Sequence, residues 1–405
     1  MLARTPPLRI LHVIGSLGMG GAEVWLMELL RYFHRQGQGA PQLDFLITSG
    51  KPGVFDDEAR ELGARIHYLR YSRLHLPAFR RGFRRVLERG HYDAIHDHQG
   101  YDSGWHYLMG LGLLPPVRVT HVHNRAICLT ERGPFQRSVA QVGKRLVARH
   151  ATHLAGTSRL VLEEHGFYAP AFGHLPKTPL YCGFDAHRFG ADRADARAAL
   201  RREFGWPAHA RVVLFAGRMD PSADPGHRLN SKNSAFAVEV GIESARRNPD
   251  LRLLLVGETT AAVEILEDRV EDAGLCGRIK FAGVRHDIGR LMRGADALFF
   301  PSQSEGLGMV AVEAQTAGLP VLASVGVPRE CVIDPSLVEY RNLADGVAAW
   351  AGDLVRLTSR RKVMRGSEMR LARTVFSIEN SATAVTGLYA NLDLGGLLAP
   401  IFRGY

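Results

Sequence analysis

Two glutamates, Glu305 and Glu313, stand with seven residues, GLGMVAV, between them. A carboxylate is a good acceptor for sugar hydroxyls and a poor partner for phosphate. Within the spacer, Gly306 and Gly308 bracket Leu307, and from Met309 the apolar positions Val310, Val312, Ala314 and Ala317 recur at helical spacing. The first backbone N–H groups of a helix have no internal partner and carry the positive end of its dipole. Glycines let a bulky anion come close, so Gly306, Leu307, Gly308, Met309 and Val310 form a candidate phosphate cradle. A molecule carrying both sugars and phosphates would use both features. The same residues also fit an ordinary strand–helix turn with a loop glutamate and a solvated helix glutamate, and residue types alone leave the two readings level.

A second set of candidates lies earlier, in His96-Asp97-His98-Gln99 and His121-Val122-His123-Asn124. Alternate residues of a strand share a face, which pairs His96 with His98 and His121 with His123. Four imidazoles at two strand ends could hold a metal ion. Histidines more often satisfy one another or the backbone through hydrogen bonds, and the expectation is no metal. A third stretch, Gly15-Ser16-Leu17-Gly18-Met19-Gly20-Gly21-Ala22-Glu23, is another glycine loop before an amphipathic helix, VWLMELLRYF. Its glycines do not fit the dinucleotide pattern G-x-G-x-x-G.

The elements that would position these residues recur as short apolar runs at βα spacing. They are Leu8–Ile14, Leu43–Thr48, Arg65–Leu69, Ala94–His98, Val117–His123 and Thr152–Gly156, then Val212–Gly217, Leu251–Val256, Ile279–Ala282, Ala297–Phe300 and Leu319–Leu322. Such alternation predicts open parallel sheets with helices on both faces, with ligands at the carboxyl ends of strands. At 405 residues the chain suits two domains. A break is expected at Tyr181-Cys182-Gly183-Phe184-Asp185, followed by a linker helix over 190–203.

With 46% hydrophobic and 23% charged residues the chain is globular. No apolar run reaches 18 residues, and the start, MLARTPPLRI, lacks the apolar core of a signal peptide, so a cytoplasmic protein is expected. Cys128, Cys182, Cys276 and Cys331 lie far apart, which predicts neither a disulfide framework nor a zinc knuckle. The net charge of +10 could answer to nucleic acid, an anionic membrane or anionic ligands. No nucleic-acid-binding motif is present, so nucleic acid is not expected as a partner. Arg80, Arg81, Arg84, Arg85 and Arg89 fall in FRRGFRRVLERG with apolar residues between them. This is either a solvated helix or a basic face that finds anionic lipid at the inner side of the plasma membrane, extended by Lys144, Arg145 and Arg149.

The Glu305-GLGMVAV-Glu313 stretch, followed by Ala314 and Gly318-Leu319-Pro320-Val321, resembles the E-x7-E signature of retaining family 4 (group 1) glycosyltransferases. The Gly20-Gly21-Ala22-Glu23 loop is similar to that family's G-G-A-E element. Gly217-Arg218 with Lys232 resembles its G-R-x4-K pair, here with a longer intervening loop. Gly183 and Asp185 match its N-G-V/I-D, while Cys182 and Phe184 depart from it. The resemblance covers nearly the whole chain and is strongest over 212–324.

What the resemblance implies is a GT-B fold: an α/β chain of two Rossmann-like domains facing a central cleft. Residues 1–185 would bind the acceptor, 186–375 the nucleotide sugar, and the segment 376–405, with a helix from about Ile378 to Leu392, would cross back to the first domain. Arg218 and Lys232 would meet the donor diphosphate, Glu313 the ribose, and Glu305 the donor sugar, with the Gly20-Gly21 loop beside the diphosphate. His123 would reach a sugar hydroxyl beside the breaking bond, and His98, His121 and Asn124 would face the acceptor.

The implied reaction is metal-independent retaining transfer from a nucleotide diphosphate sugar, a UDP- or GDP-sugar, to a glycan or lipid-linked acceptor in bacterial surface polysaccharide synthesis. No D-x-D occurs, and no cofactor is expected beyond the donor. The rivals are another enzyme on a similar fold, such as an epimerase or a phosphorylase, and a non-catalytic sugar-nucleotide or lipid-binding protein. A pyridoxal-dependent phosphorylase would need a Schiff-base lysine, and lysines are scarce.

Overall fold

The computed structural model describes residues 7–126, 133–225, 227, 229–359 and 371–390. Cys128, the first six residues and the segment beyond 390 lie outside them. The chain divides into two compact units, one formed by residues up to Asp185 together with the segment from Thr374, the other by Ala186–Arg373.

The first unit is built on a seven-stranded parallel sheet in the order β3-β2-β1-β4-β5-β6-β7. Its strands are β1 (Arg9–Ile14), β2 (Gln42–Ile47), β3 (Ile66–Tyr68), β4 (Ala94–Asp97), β5 (Val117–Val122), β6 (His153–Gly156) and β7 (Lys177–Pro179). The central strands are buried along almost their whole length, as continuous apolar runs require when helices cover both faces. One core cluster joins Leu11, Val13, Ile95 and Val122 of the sheet to Phe79, Phe83 and Leu87 of the helix Leu76–Gly90.

The helix Ile378–Tyr389 belongs to this unit and packs beside Gly21–Gln36. Ser377 caps its start by accepting from the Asn380 N–H at 3.2 Å. Gly183 makes the approach possible. A Cβ there would lie 2.4 Å from the Ser381 Cβ and 2.6 Å from the Ser377 carbonyl oxygen. The neighbouring Phe184 N–H donates to the Phe376 carbonyl at 3.1 Å. Leu392 lies outside the described residues, and the helix ends at Tyr389.

The second unit carries a six-stranded parallel sheet in the order β10-β9-β8-β11-β12-β13. Here β8 is Arg211–Ala216, β9 Leu251–Val256, β10 Ile279–Phe281, β11 Ala297–Phe300, β12 Val321–Ser324 and β13 Val338–Arg341. The core gathers Phe215, Leu253, Leu255 and Phe299 from the sheet with Phe236, Trp350 and Leu354 from the helices. Two edge strands escaped the sequence reading. β7 is three residues ending in proline, and β13 alternates charge with apolar residues and is half-buried throughout. The chain after Ser324 forms a short 3-10 turn, Arg329–Cys331, and then β13 before the helix Gly346–Ser359. The linker helix is Arg193–Glu203, capped by Asp192.

Candidate active site

In the second unit the chain leaves buried β11 at Pro301 and enters the helix Met309–Thr316 through Gly308. Gly308 has φ +89°, and a Cβ on it would stand 2.9 Å from Val327 Cγ1 and 3.1 Å from Phe300 Cε1. Left-handed backbone and lack of space both demand glycine here. Leu307 is buried and anchors the loop, while Gly306, Met309, Val310 and Glu313 remain half-exposed. The loop is tied down where the Glu305 N–H donates to the Gly326 carbonyl at 3.2 Å and the Gln303 N–H to the Ser231 carbonyl at 2.8 Å.

Lys232 Nζ donates to Glu305 Oε1 at 2.6 Å, an ion pair with the carboxylate side chain only 11% exposed. The stem of the lysine runs 3.6 Å from where a Cβ on Gly217 would lie, so Lys232 passes beside the residue preceding Arg218. Arg218 itself is exposed at the end of β8. Lys232 and Glu305, 73 positions apart in the chain, thus meet in space.

Asp220 positions this cation and was not singled out from the sequence. It is buried, and its carboxylate accepts from the Lys232 N–H at 3.0 Å and the Ser234 N–H at 2.7 Å. Those bonds hold Asn233 in the left-handed region at φ +64° and start the helix Ser234–Arg247. The long loop before Lys232 is closed by Asn230, whose amide donates to the carbonyls of Ser222 and Asp224 at 2.8 and 2.7 Å. The signal for Asp220 was a carboxylate two residues past Arg218, in a loop otherwise read only for its length.

In the first unit the strand-end histidines form one connected cluster that also includes His12 of β1 and Tyr389. His123 Nε2 lies 2.9 Å from His98 Nδ1, and His98 Nε2 lies 3.0 Å from His12 Nδ1. His12 Nε2 is 3.3 Å from the Tyr389 hydroxyl, which is 2.7 Å from His96 Nδ1. His96 Nε2 is 3.1 Å from His121 Nδ1. The parallel register sets His12 beside His96, which makes the alignment of the rings a consequence of strand pairing. Trp25 stands edge-on to His96, His98 and His121, its indole N–H donating to Ser381 Oγ at 2.9 Å.

Burial disfavours the charged form of every imidazole in the cluster. It holds His123 down to about 4 and His12 to about 3, and keeps His96, His98 and His121 well below the ordinary value. These rings are neutral hydrogen-bonding groups at physiological pH. His123 is half-buried and Asn124 exposed. His98 and His121, expected to face the acceptor, are both buried among their neighbours. Trp25 and the adjacent imidazoles pack against them. Two triplets bring ring nitrogens to within 4.8 Å of one another, a spacing that can hold a metal ion: His12 with His96 and His98, and His98 with His121 and His123.

Gly20 and Gly21 are exposed at the start of Gly21–Gln36. A Cβ on Gly20 would lie 2.3 Å from Glu23 Oε2, so glycine leaves room for that carboxylate to fold back over the helix start.

The basic helix buries Phe79, Phe83 and Leu87 and exposes Arg80, Arg81, Arg85 and Arg89. Arg84 departs from the expected face, because its guanidinium donates to the Leu111 carbonyl at 2.8 Å. Lys144 departs too. It lies over the rings of Tyr101, Phe167 and Phe172 and donates to the His165 carbonyl. Cys182 and Cys331 are buried free thiols, and Cys276 is an exposed one. Among the described residues no helix is long and apolar enough to cross a membrane.

Two parallel-sheet units with surrounding helices are the architecture of GT-B glycosyltransferases, and comparison with known proteins agrees. Residues 210–359 match the family described as glycosyl transferases group 1, and residues 19–171 match glycosyltransferase family 4. A putative glycosyltransferase EpsF of Bacillus subtilis is 27% identical over 389 residues, spanning 94% of this chain and 96% of that protein. A D-inositol 3-phosphate glycosyltransferase of Mycobacterium bovis is 30% identical over 325 residues, 75% of this chain and 62% of that one. Among solved structures, Anabaena HepE in complex with UDP and glucose shares the fold at a TM-score of 0.69 with 18% identity, covering 95% of this chain and all of the other. The chain belongs to the group 1, family 4 glycosyltransferases and is a GT-B enzyme of that class.

Proposed function

We propose that the enzyme transfers a sugar from a nucleotide diphosphate donor, a UDP- or GDP-sugar, to a hydroxyl of a glycan or lipid-linked acceptor, with the anomeric configuration retained and no metal required. The observation that carries this reading is the Lys232–Glu305 pair beside the Gly308-led helix start. A cation, a carboxylate and unpaired helix N–H groups at one strand end suit a sugar diphosphate. Lys232 and Arg218 neutralise charge developing on the leaving diphosphate, which is where fixed cations accelerate a reaction most. Glu313 accepts from the ribose hydroxyls. On donor binding Lys232 turns to phosphate and frees Glu305 for the hydroxyls of the sugar.

In the transfer the bond from the anomeric carbon to the phosphate oxygen breaks and a bond to the acceptor oxygen forms on the same face. The acceptor proton passes to the departing phosphate. His123, neutral and half-exposed, donates to or accepts from a sugar hydroxyl beside that carbon. Surface polysaccharide assembly is the proposed setting. The fold is shared with a lipopolysaccharide outer core galactosyltransferase, WaaB, at a TM-score of 0.65 and 13% identity. The exposed arginines of Leu76–Gly90 would hold the enzyme at anionic lipid, at the inner face of the plasma membrane.

The test is a panel of nucleotide sugars screened by thermal shift, since a ligand of the folded state raises the melting temperature. Hits are then incubated with lipid-linked acceptor and chelator. Release of nucleoside diphosphate with an α-linked product from an α-linked donor is expected. Inverted product, or activity only with added magnesium or manganese, would remove the mechanism proposed here.

A further inference from the structure

We propose that His98, His121 and His123 form a binding site for one transition-metal dication of the zinc class, and that the bound ion would withdraw His123 from sugar transfer. The metal site stands on its own geometry, and only the inhibition rests on the transferase reading above.

Three observations carry the site. The first is the donor set: three imidazoles with ring nitrogens inside 4.8 Å. A tetrahedral zinc ion with Zn–N bonds of about 2.0–2.1 Å separates its donors by about 3.3 Å. His98 Nδ1 and His123 Nε2, at 2.9 Å, need only open slightly to admit it.

The second is an orphan. His121 is fully buried, and its Nε2 has no hydrogen-bond partner among the described residues. Its other nitrogen is engaged, so the ring cannot turn to satisfy Nε2 without abandoning His96. A ligated ion would satisfy that lone pair.

The third is the outer layer of partners. Ligating histidines are usually oriented by an acceptor for their second ring N–H. With the ion on His98 Nδ1 and His121 Nε2, the opposite N–H groups donate to His12 Nδ1 and His96 Nε2, at 3.0 and 3.1 Å. His12 and His96 then carry their protons on the far nitrogens, and both donate to the Tyr389 oxygen, whose two lone pairs can receive them. Each of the five rings keeps one proton throughout, so the ion enters by a change of tautomer with no proton released. The half-buried edge of His123 provides the way in. The alternative triplet, His12, His96 and His98, is buried at all three rings and offers no such edge.

All-imidazole ligation favours zinc, nickel or copper over magnesium or calcium, which prefer oxygen. The enzyme would thus ignore the hard ions that assist many nucleotide-using enzymes and be stopped by soft ones.

The test uses tag-free full-length protein stripped by chelator and titrated with cobalt(II), then zinc, by visible absorption and calorimetry. One ion per chain with the intense bands of tetrahedral cobalt is expected, displaced by zinc and not by excess magnesium. His121→Ala should weaken binding at least tenfold. His123→Asn, at the more exposed position, guards against a folding failure in the first variant and should do the same, while His209→Ala on the surface should not. Zinc should abolish transfer with the affinity for nucleoside diphosphate changed less than twofold. Absence of saturable cobalt binding, or binding undiminished in both folded variants, would overturn the site. Saturating zinc without loss of transfer would overturn the inhibition while leaving the site in place.

Discussion

The two units solve the problem of placing polar groups at a strand end in opposite ways. The second unit uses full charges close to solvent, pairing Lys232 with Glu305 and leaving Arg218 exposed. The first links four buried histidines, the half-buried His123 and a buried tyrosine in one hydrogen-bonded chain, with no charged member. Charge is costly to bury, and a neutral imidazole that donates and accepts is not. The difference teaches that polar groups at a strand end keep full charge where solvent is near and are held neutral and mutually hydrogen-bonded where it is not.

That contrast can be broken most forcefully at Lys232. Lys232→Ala removes the cation and strands the Glu305 carboxylate, and a loss on the order of 10²–10³ in kcat/KM is expected, as for removal of a single group that stabilises developing charge. Steady-state kinetics with chelator present checks it, and a loss under fivefold would deny the pair its role. A comparable but differently divided effect is expected in the other unit. His123→Ala should lower kcat by roughly 10²-fold with affinity for the nucleoside diphosphate unchanged, because its interaction is made with the reacting sugar. If calorimetry shows nucleotide binding falling in step with turnover, the two sites are not distinct in function.

Smaller effects sharpen the picture. Glu313→Ala should weaken nucleoside diphosphate binding by about 1.5–3 kcal/mol, the usual worth of hydrogen bonds to a charged acceptor. An unchanged dissociation constant would remove Glu313 from the ribose. The smallest effect belongs to the surface. Changing Arg80, Arg81 and Arg85 to Ser should reduce sedimentation with anionic vesicles by about 1 kcal/mol for each arginine, with the loss vanishing at high salt. Arg84 is left intact because it holds the Leu111 carbonyl. Equal binding of parent and variant would make the helix an ordinary solvated face.

The charged site was the more legible in sequence, and for a physical reason. Anion cradles are made by contiguous residues, and Gly308 with its helix announces itself within a dozen positions. Lys232 was legible only through resemblance, and Asp220 not at all, since a buried carboxylate serving backbone N–H groups has no spacing of its own. In the histidine cluster, alternation correctly put His96 with His98 and His121 with His123 on shared faces. It could not show that β1 lies between β2 and β4 and brings His12 into line, nor that Tyr389 comes from the far end of the described chain. Burial of His98 and His121 followed from those unseen neighbours. The sheets themselves were readable as apolar runs, except at their edges, where β7 and β13 are short or alternating.

Gly183 has a consequence for how the protein comes into being. The glycine exists to receive Ser377 and Ser381, which the ribosome delivers nearly two hundred residues later. Until then the Trp25 indole lacks its Ser381 acceptor, and His12 and His96 lack the Tyr389 hydroxyl that links them. The second unit is continuous in the chain, formed by Ala186–Arg373. During synthesis, therefore, the domain made first should be the one finished last. A released chain truncated after Arg373 should resist protease across the second unit while the first is still cut, and equal protection of both at that length would refute this order.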